Sequence, residues 1–161
     1  MIFTLLPIYV FDSNALIDLF KHFYLKRFPS LWKRFDGSVA SGNLISVREV
    51  FNEIEGHGDR LSQWARDHRN FFQQPSPEEL AFVAEIFKVT HFQALISKQA
   101  RLEGKTVADP FVIAKAKVHN GCVITQEIKK PNAARIPNVC EHFGVDCLNL
   151  EGFMEREDWT F

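Results

Sequence analysis

Four carboxylates stand where a predicted strand ends or where the next helix begins. Asp12 directly follows the apolar run YVF, and Glu127 comes one residue after the run CVIT. Asp109 begins the helical stretch DPFVIAKA, and Glu53 lies in the helix that follows the run LISV. Ligands of an open parallel sheet bind at the carboxyl ends of its strands, so we expect these four side chains to converge at one edge.

A cluster of four acids favours the binding of a cation. Carboxylates that are packed together raise one another's pKa, which disfavours ionisation unless a positive charge is added. Mg²⁺ and Mn²⁺ prefer oxygen ligands, and Mg²⁺ keeps several waters, so a few carboxylates suffice to anchor it. One or two such ions can activate a water and neutralise charge at a phosphate. We therefore interpret the four acids as ligands of a divalent cation.

Three of these acids also have a structural interpretation. Asp is a favoured N-cap, so Asp12 can cap the helix that follows it. Asp109 stands before Pro110, which matches a helix start with Asp at the N-cap and Pro at the first helical position. Glu127 can be an exposed loop acid, the usual location of Glu. For Asp12 and Asp109 the two roles are compatible, because a carboxylate has two oxygens.

Glu53 is distinguished from its neighbour Glu49 by helical geometry. Around an ideal helix, Glu53 lies about 110° from the centre of the apolar stripe of its segment, whereas Glu49 lies about 150° from it. We therefore expect Glu53 at the edge of the buried face and Glu49 in solvent. The stripe consists of Val47, Val50, Phe51 and Ile54.

Short apolar runs alternate with stretches of helical periodicity. We predict strands at 8–11, 44–47, 122–125 and 145–150, and helices at 14–23, 47–55, 61–72, from 76 onward, 109–118 and after 137. Ser76, Pro77 and Glu79 form a capping-box pattern at a helix start, and Gly104 is predicted to end the helices of this region. Strands separated by helices indicate an α/β fold with a mainly parallel sheet.

The composition is that of a globular domain. The chain has 161 residues, of which 46% are hydrophobic and 24% charged, which argues against a disordered chain. The formal net charge is −1, so a surface that binds phosphate has to be a local patch. Three cysteines without CxxC spacing favour a reducing cytoplasm and buried thiols over disulfides or zinc.

The apolar start of the chain is too short for a membrane span. The run MIFTLLPIYVF has eleven residues, whereas a span needs about twenty apolar residues. It also has no basic flank, which a signal peptide requires. We therefore expect no membrane association and a cytoplasmic location.

Four segments carry a family resemblance. YVFDSNALIDL, REVFNEI, ADPFVIAKA and CVITQE, in this order, resemble the signature segments of the PIN-domain ribonucleases, in particular toxin-like members related to VapC. The similarity extends to IPNVCEHFGVDCLNL near the end of the chain. It implies a single PIN-like domain over residues 1–161, with three layers and a mainly parallel central sheet of four to five strands flanked by helices.

The resemblance also implies a function and its residues. It implies a Mg²⁺- or Mn²⁺-dependent endoribonuclease, the toxin component of a toxin–antitoxin pair, with RNA as substrate, a protein antitoxin as partner and a homodimer as assembly. The matching acids are the four named above, supported by Ser13, Asn14 and Thr125. The chain departs from the family at Glu127. The last acid of the family is commonly Asp, whose side chain is one methylene shorter than that of Glu.

Substrate contact requires positive charge beside the acids. Lys129 and Lys130 follow Glu127 directly, and Lys33 and Arg34 belong to the acid-free stretch FKHFYLKRFPSLWKRF. We predict that these four cations bind the RNA backbone, and aromatic side chains of the stretch could stack on bases. Alternatively, its aromatics are core residues and its cations a solvated face, or the stretch is the docking surface of an antitoxin.

Two other functions remain open at this point. Asp12-Ser13-Asn14 is similar to the loop of phosphatases that use an Asp nucleophile, but their second Asp is missing here. The chain could also be a PIN-like module that binds RNA or protein without catalysis. The presence of an acid at all four positions argues against such a module.

Overall fold

The computed structural model of the chain describes residues 6–95 and 107–161, so the predicted helix end at Gly104 lies outside the described residues. The described strands are β1 (Tyr9–Phe11), β2 (Leu44–Val47), β3 (Phe72–Gln73), β4 (Cys122–Ile124) and β5 (Asp146–Leu148). The described helices are α1 (Ser13–His22), α2 (Pro29–Ala40), α3 (Arg48–Ile54), α4 (Arg60–Asp67), α5 (Pro77–Lys88), α6 (Asp109–Val118), α7 (Ile136–Phe143) and α8 (Leu150–Arg156).

The strands form one parallel sheet with the order β3-β2-β1-β4-β5. The predicted α/β class and mainly parallel sheet are therefore confirmed. From β1 the chain goes first to β2 on one side and later to β4 on the other. The strand order thus reverses beside β1, and a reversal of this kind leaves a crevice outside the carboxyl ends of the two strands.

The helices lie in two groups on the sheet. One group consists of α1, α3 and α4, which contact one another, and the other consists of α5, α6 and α7. Strand β1 is buried along its whole length, because α6 and both neighbouring strands cover it. The result is a three-layer α/β architecture.

The aromatic residues of the basic stretch mostly belong to the core. Phe20 packs edge-on against Trp32 at a centroid distance of 4.7 Å, and both rings contact Phe35. Tyr24 is the exception, because it is exposed. The prediction that these aromatics stack on bases is therefore wrong for the buried rings, and the alternative of core packing is correct for them.

Several elements were not predicted from the sequence. Helix α2 begins within the basic stretch, and β3 begins at Phe72, the last residue of the helix predicted at 61–72, because Phe71 and Phe72 turn into the core beside Trp64. The last strand ends at Leu148 rather than at residue 150, since Asn149 caps α8 by accepting a hydrogen bond from the Gly152 amide at 2.8 Å. These boundaries depend on tertiary contacts, which local periodicity does not contain.

The predicted start of α5 is confirmed. The Ser76 hydroxyl accepts a hydrogen bond from the Glu79 amide, with Pro77 in the first turn. The Glu79 side chain is buried and forms an ion pair with Lys115 of α6.

No helix within residues 6–95 and 107–161 combines the length and the apolar composition that a membrane span requires.

Candidate acidic site at the carboxyl edge of the sheet

Asp12 lies at the centre of the sheet edge, directly after β1. Its Oδ1 accepts a hydrogen bond from the Ser13 amide at 2.8 Å, so Asp12 does cap α1. Its Oδ2 accepts one from the Thr125 hydroxyl at 3.0 Å, across the gap to β4. The side chain is only 2% exposed. Burial raises the pKa of Asp12 to about 6 although both hydrogen bonds oppose the shift.

Asp109 lies one position further into α6 than the sequence predicted. Ala108 is the N-cap and has helical backbone angles, so Asp109 is the first residue of the helix and Pro110 the second. The prediction of Asp109 as N-cap is therefore wrong, and its carboxylate is free of a capping bond. Burial, followed by repulsion from Asp12, Glu127 and Glu53, raises the pKa of Asp109 to about 8.

Glu53 connects α3 to the start of α6. Its Oε1 accepts a hydrogen bond from the Ala108 amide at 3.2 Å, although much of the side chain is exposed. Ala108 directly precedes Asp109 in the chain, and Glu53 belongs to the helix that follows β2. Glu53 therefore approaches the acid edge from the side of β2. This contact places the third acid beside the first two without burying it.

The prediction that Glu49 is solvated is wrong. Glu49 is fully buried, its Oε1 accepts a hydrogen bond from Arg48, and its Oε2 has no partner among the described residues. Helix α3 contacts α1, α4 and β3, so it is covered on more than one side. A projection that assigns a helix one buried face therefore fails for this element.

Glu127 follows the carboxyl end of β4. It is half-buried, so it is not an exposed loop acid. Its Oε2 accepts a hydrogen bond from the Ile136 amide at 2.9 Å, at the first residue of α7. Its own amide donates to the Thr125 hydroxyl oxygen at 3.2 Å. The longer side chain of Glu, compared with Asp, is thus held at the start of a helix, where backbone amides favour a negative charge.

A polar network joins the ends of β1 and β4. The Asn14 Oδ1 accepts hydrogen bonds from the Thr125 hydroxyl at 3.2 Å and from the Gln126 amide at 2.8 Å. Ser13 contributes its amide and, more weakly, its hydroxyl, which is 3.5 Å from Asp12 Oδ1. The three residues predicted as supporting therefore all contact the acid edge or its backbone.

Gln126 is a residue of this network that the sequence analysis missed. Its Nε2 donates to Asp18 of α1 at 3.2 Å, and its Oε1 accepts from the Leu150 amide at 2.8 Å. It therefore ties β4 both to α1 and to the start of α8. The only sequence signal was its place between Thr125 and Glu127 in CVITQE.

The four predicted acids interact electrostatically at this edge. Repulsion from Asp12, Glu127 and Glu53 raises the pKa of Asp109, and repulsion from Glu127 and Glu53 also raises that of Asp12. Within the described residues, however, no group of three or more His, Cys, Asp or Glu side chains is arranged so that it could hold a metal ion by itself. A Mg²⁺-type ion that keeps several waters needs only one or two direct carboxylates.

The predicted substrate-binding cations have different surroundings. Lys129 forms an ion pair with Glu141 of α7, and Lys130 and Lys33 are exposed. Arg34 donates to the carbonyls of Glu157 and Asp158 and lies over the Trp159 ring at 5.3 Å. Arg34 therefore holds the C-terminal segment, and the structure does not bring it to the acids. RNA binding by the three lysines stays a prediction.

Comparison with protein families gives one match. The family described as "Domain of unknown function (DUF4411)" matches residues 9–161. The chain belongs to this family. The match of DUF4411 begins at the first residue of β1 and therefore includes every acid of the candidate site. No curated protein matches the chain at a significant level.

Solved structures that resemble this DUF4411 chain share its fold at low sequence identity. The crystal structure of PAE2754 from Pyrobaculum aerophilum has 14% identity and a TM-score of 0.50, and the match covers 94% of this chain and 96% of that one. The crystal structure of VapBC2 from Rickettsia felis bound to a DNA fragment from their promoter has 13% identity, a TM-score of 0.48 and coverage of 88% and 98%. The similarity to PAE2754 confirms the PIN-like fold implied by the four sequence segments as an architecture.

Proposed function

We propose that this chain is a metal-dependent ribonuclease that hydrolyses RNA phosphodiester bonds at the carboxyl edge of its sheet. The observation that carries the proposal is a pair of acids, the buried Asp12 and the half-buried Asp109, whose pKa values burial raises to about 6 and about 8. Within the described residues, neither they nor Glu53 and Glu127 form an ion pair with Lys or Arg. A partly buried anionic cluster of this kind is stabilised by a cation from outside the chain.

The donor set fits Mg²⁺ or Mn²⁺. All four side chains offer carboxylate oxygens, the ligands that these ions prefer, and no thiol or imidazole belongs to the cluster. Asp12, Glu53, Asp109 and Glu127 would hold the ion, directly or through water. When bound, the ion supplies an activated water and neutralises charge on the phosphate.

The remaining polar residues keep the acids in place. Thr125 donates to Asp12 Oδ2, which leaves the orientation of that carboxylate fixed between two strands. Asn14 holds the backbone after β4 through the Gln126 amide, and the Ile136 amide holds Glu127. Groups positioned by such contacts need not reorganise when substrate binds, which is a main source of catalytic efficiency.

The surface next to Glu127 is suited to an RNA strand. Lys129 and Lys130 follow the acid on an exposed loop, and Ile128 between them and Glu127 is 76% exposed. The lysines can neutralise backbone phosphates, and the resulting affinity should decrease with salt. The resemblance of the four sequence segments further supports a toxin function with a protein antitoxin, a homodimeric assembly and a cytoplasmic location.

The proposal is tested by RNA cleavage with and without Mn²⁺. We expect the wild type to cleave RNA, EDTA to abolish cleavage, and Asp12→Asn to reduce the rate at least about a hundredfold, since even outer-shell changes at metal sites cost about 10–100-fold. Asn is also a good N-cap, so this variant keeps the start of α1. Asp36→Asn, which removes an exposed acid of α2, is the matched control and should cleave like the wild type.

One observation favours a second function, an RNA- or protein-binding module without turnover. Glu127 replaces the usual Asp, and its Oε2 is engaged by the Ile136 amide. RNA binding that is unaffected by EDTA, with no cleavage in any metal, would support this alternative. Cleavage that persists in Asp12→Asn or in EDTA would reject the metal-dependent mechanism.

A further inference from the structure

A groove of about 550 Å³ lies between α1 and α8 and carries negative charge. Its apolar lining comes from the end of α1, from α8 and from the C-terminal segment, namely Phe23, Leu150, Met154 and Trp159. Its acids are Asp18, Glu151 and Glu155. Among the described residues that line this α1–α8 groove, none is Lys or Arg. The groove therefore suits an occupant that is both apolar and cationic.

An exposed loop with the opposite charge begins where the groove ends. His22 and Phe23 line the groove, and the α1–α2 loop (residues 23–28) starts there. This loop exposes 63% of Tyr24 and 52% of Leu25. Three exposed cations accompany these side chains, namely Lys21, Lys26 and Arg27. One region of the surface thus carries an acidic apolar groove directly beside a basic apolar loop.

The α1–α2 loop is held in shape at both ends. The rings of Phe23 and Phe28 pack edge-on at a centroid distance of 5.2 Å. The Phe23 carbonyl accepts a hydrogen bond from the Trp32 indole at 3.0 Å, and the Phe28 amide donates to the Tyr24 carbonyl at 3.0 Å. A loop that is fixed in this way loses little conformational freedom when it docks, which favours binding.

The charges of the groove and of the loop are unpaired within the described residues. None of the three acids of the groove forms an ion pair with Lys or Arg, and none of the three cations at the loop forms one with an acid. Asp18 accepts a hydrogen bond from the neutral side chain of Gln126. Exposed apolar side chains grouped with unpaired charges are typical of an interaction surface.

A two-fold axis would bring the groove and the loop of two copies together. An isologous dimer uses the same surface of both copies, so every contact occurs twice. Such a surface has to be complementary to itself. The groove and the loop meet this condition, because His22 and Phe23 join them. An axis close to these two residues would place the loop of each copy in the groove of the other.

We propose that two copies of this chain associate through this surface, with the α1–α2 loop of one protomer in the α1–α8 groove of its partner. The proposal rests on the homodimeric assembly stated with the proposed function, and it assigns a surface to that assembly. A second copy supplies the cations and the apolar side chains that the groove requires. RNA is disfavoured there, because the acids of the groove repel a phosphate backbone.

Dimerisation through this surface would also support the acid edge. Gln126 lines the groove, and its side chain contacts Asp18 of α1 and the Leu150 amide of α8. Gln126 directly follows Thr125, whose hydroxyl donates to Asp12. A partner loop between the two helices would therefore stiffen the network that holds Asp12.

Charge reversal of the loop and of the groove tests the interface. One variant combines Lys26→Glu with Arg27→Glu, and the other combines Glu151→Lys with Glu155→Lys. We expect sedimentation velocity to show a dimer for the wild type. Each variant should raise its dissociation constant at least about a hundredfold, because like charges then face each other in both copies of the contact.

Restoring the opposite charges should restore the dimer. A variant with all four substitutions should dimerise again, and so should an equimolar mixture of the two reversed proteins, since each loop then meets a groove of opposite charge. Lys88→Glu combined with Lys117→Glu is the matched control. It makes the same change in net charge on exposed cations outside the loop, and it should dimerise like the wild type.

Three results would overturn the proposal. The first is a monomeric wild type, and the second is a dimer that neither reversal weakens, which would assign the assembly to another surface. The third is a four-substitution variant that stays monomeric although circular dichroism shows that it is folded. Loss of RNA binding by the loop variant with an unchanged dimer would likewise assign the loop to RNA.

RNA cleavage is measured separately from the oligomeric state. We expect the two monomeric variants to cleave about tenfold more slowly than the wild type, the range typical for outer-shell contacts at metal sites, and the four-substitution variant to recover. Equal rates would reject the effect on the acid edge. Absence of cleavage by a dimeric wild type would instead count against the proposed function and leave the interface standing.

Discussion

Two ionisable side chains of helix α6 have opposite surroundings, the buried Lys115 and the half-buried Asp109. Lys115 lies in the helix interior, where its Nζ is 2.8 Å from Oε1 of the buried Glu79. Burial raises the pKa of Glu79, but hydrogen bonds from Lys115 and Ser76 outweigh this effect, so the pKa is lowered overall. At the start of the same helix, burial and neighbouring acids raise the pKa of Asp109 to about 8.

The difference between the two regions is whether a lysine of the chain pairs with the carboxylate. At Glu79 the cation is part of the sequence, and Gln73 and the Gln74 carbonyl accept further hydrogen bonds from Lys115, which locks α6 to α5 and to the end of β3. At Asp12 and Asp109 the described residues provide no such cation. We therefore regard the first region as a structural ion pair and the second as a site whose cation comes from solution.

The largest expected effect comes from removing the internal cation. Lys115→Met should lower the free energy of unfolding by about 3–5 kcal/mol, because the buried Glu79 then loses its lysine and keeps only His119, whose Nε2 is 3.5 Å from Glu79 Oε2. Urea denaturation measures this change. Lys117→Met, on the exposed side of the same helix, should stay within about 0.5 kcal/mol of the wild type.

A double variant sharpens this prediction. Glu79→Leu combined with Lys115→Met replaces both charges with apolar groups and should recover much of the lost stability. If the double variant is as unstable as the single one, the ion pair is not the reason for the loss. The interpretation of Lys115 and Glu79 as a stabilising ion pair would then be wrong.

Added metal should have the next largest effect, and only at the acid edge. At a Mn²⁺ concentration about 100-fold above its Kd, binding to the folded state contributes about 2.7 kcal/mol, which a thermal shift detects. Asp109→Asn should reduce the shift, and Asp36→Asn should keep it. Equal shifts in all three proteins would remove Asp109 from the set of ligands.

Without metal, Asp109→Asn should stabilise the protein, opposite in sign to Lys115→Met. An acid whose pKa is raised in the folded state binds more protons when folded than when unfolded, so stability falls as pH rises between the unfolded pKa, about 3.9, and the folded one. For Asp12 and Asp109 this window ends at about 6 and about 8. We expect a gain of about 1–2 kcal/mol in Asp109→Asn near neutral pH.

Denaturation of the metal-free protein as a function of pH measures this effect. The wild type should lose stability from about pH 4 to about pH 8, and Asp109→Asn should lose less. Parallel pH profiles for the two proteins would show that Asp109 does not titrate in this range. The contrast with Glu79 would then rest on Asp12 alone.

The smallest stability effect is expected at Lys129, whose ion pair with Glu141 is exposed. Lys129→Ala should change stability by less than about 1 kcal/mol. It should nevertheless weaken RNA binding and reduce the slope of log affinity against log salt by about 0.7, the contribution of one phosphate contact on a single strand. Lys88→Ala, which removes a comparable exposed ion pair with Glu85, is the matched control and should leave the slope unchanged.

Local sequence patterns determined much of the framework. Short apolar runs became the strands, because a strand buried on both faces must be apolar along its length. Ser76 with Pro77 correctly predicted a helix start, since this signal acts through neighbouring backbone groups. The order of these elements also predicted that Asp12 and Glu127 follow two strands of a parallel sheet, and therefore share one edge.

Other features were decided only by tertiary structure. Whether Glu49 meets solvent depends on α1, α4 and β3, and the ion pair of Glu79 depends on Lys115, which is 36 residues away. Sequence spacing describes neighbours along one element, whereas burial and ion pairing depend on residues that folding brings from distant segments. The sequence by itself therefore determined which acids reach the edge of the sheet. The tertiary structure decided which buried acid has its cation within the chain.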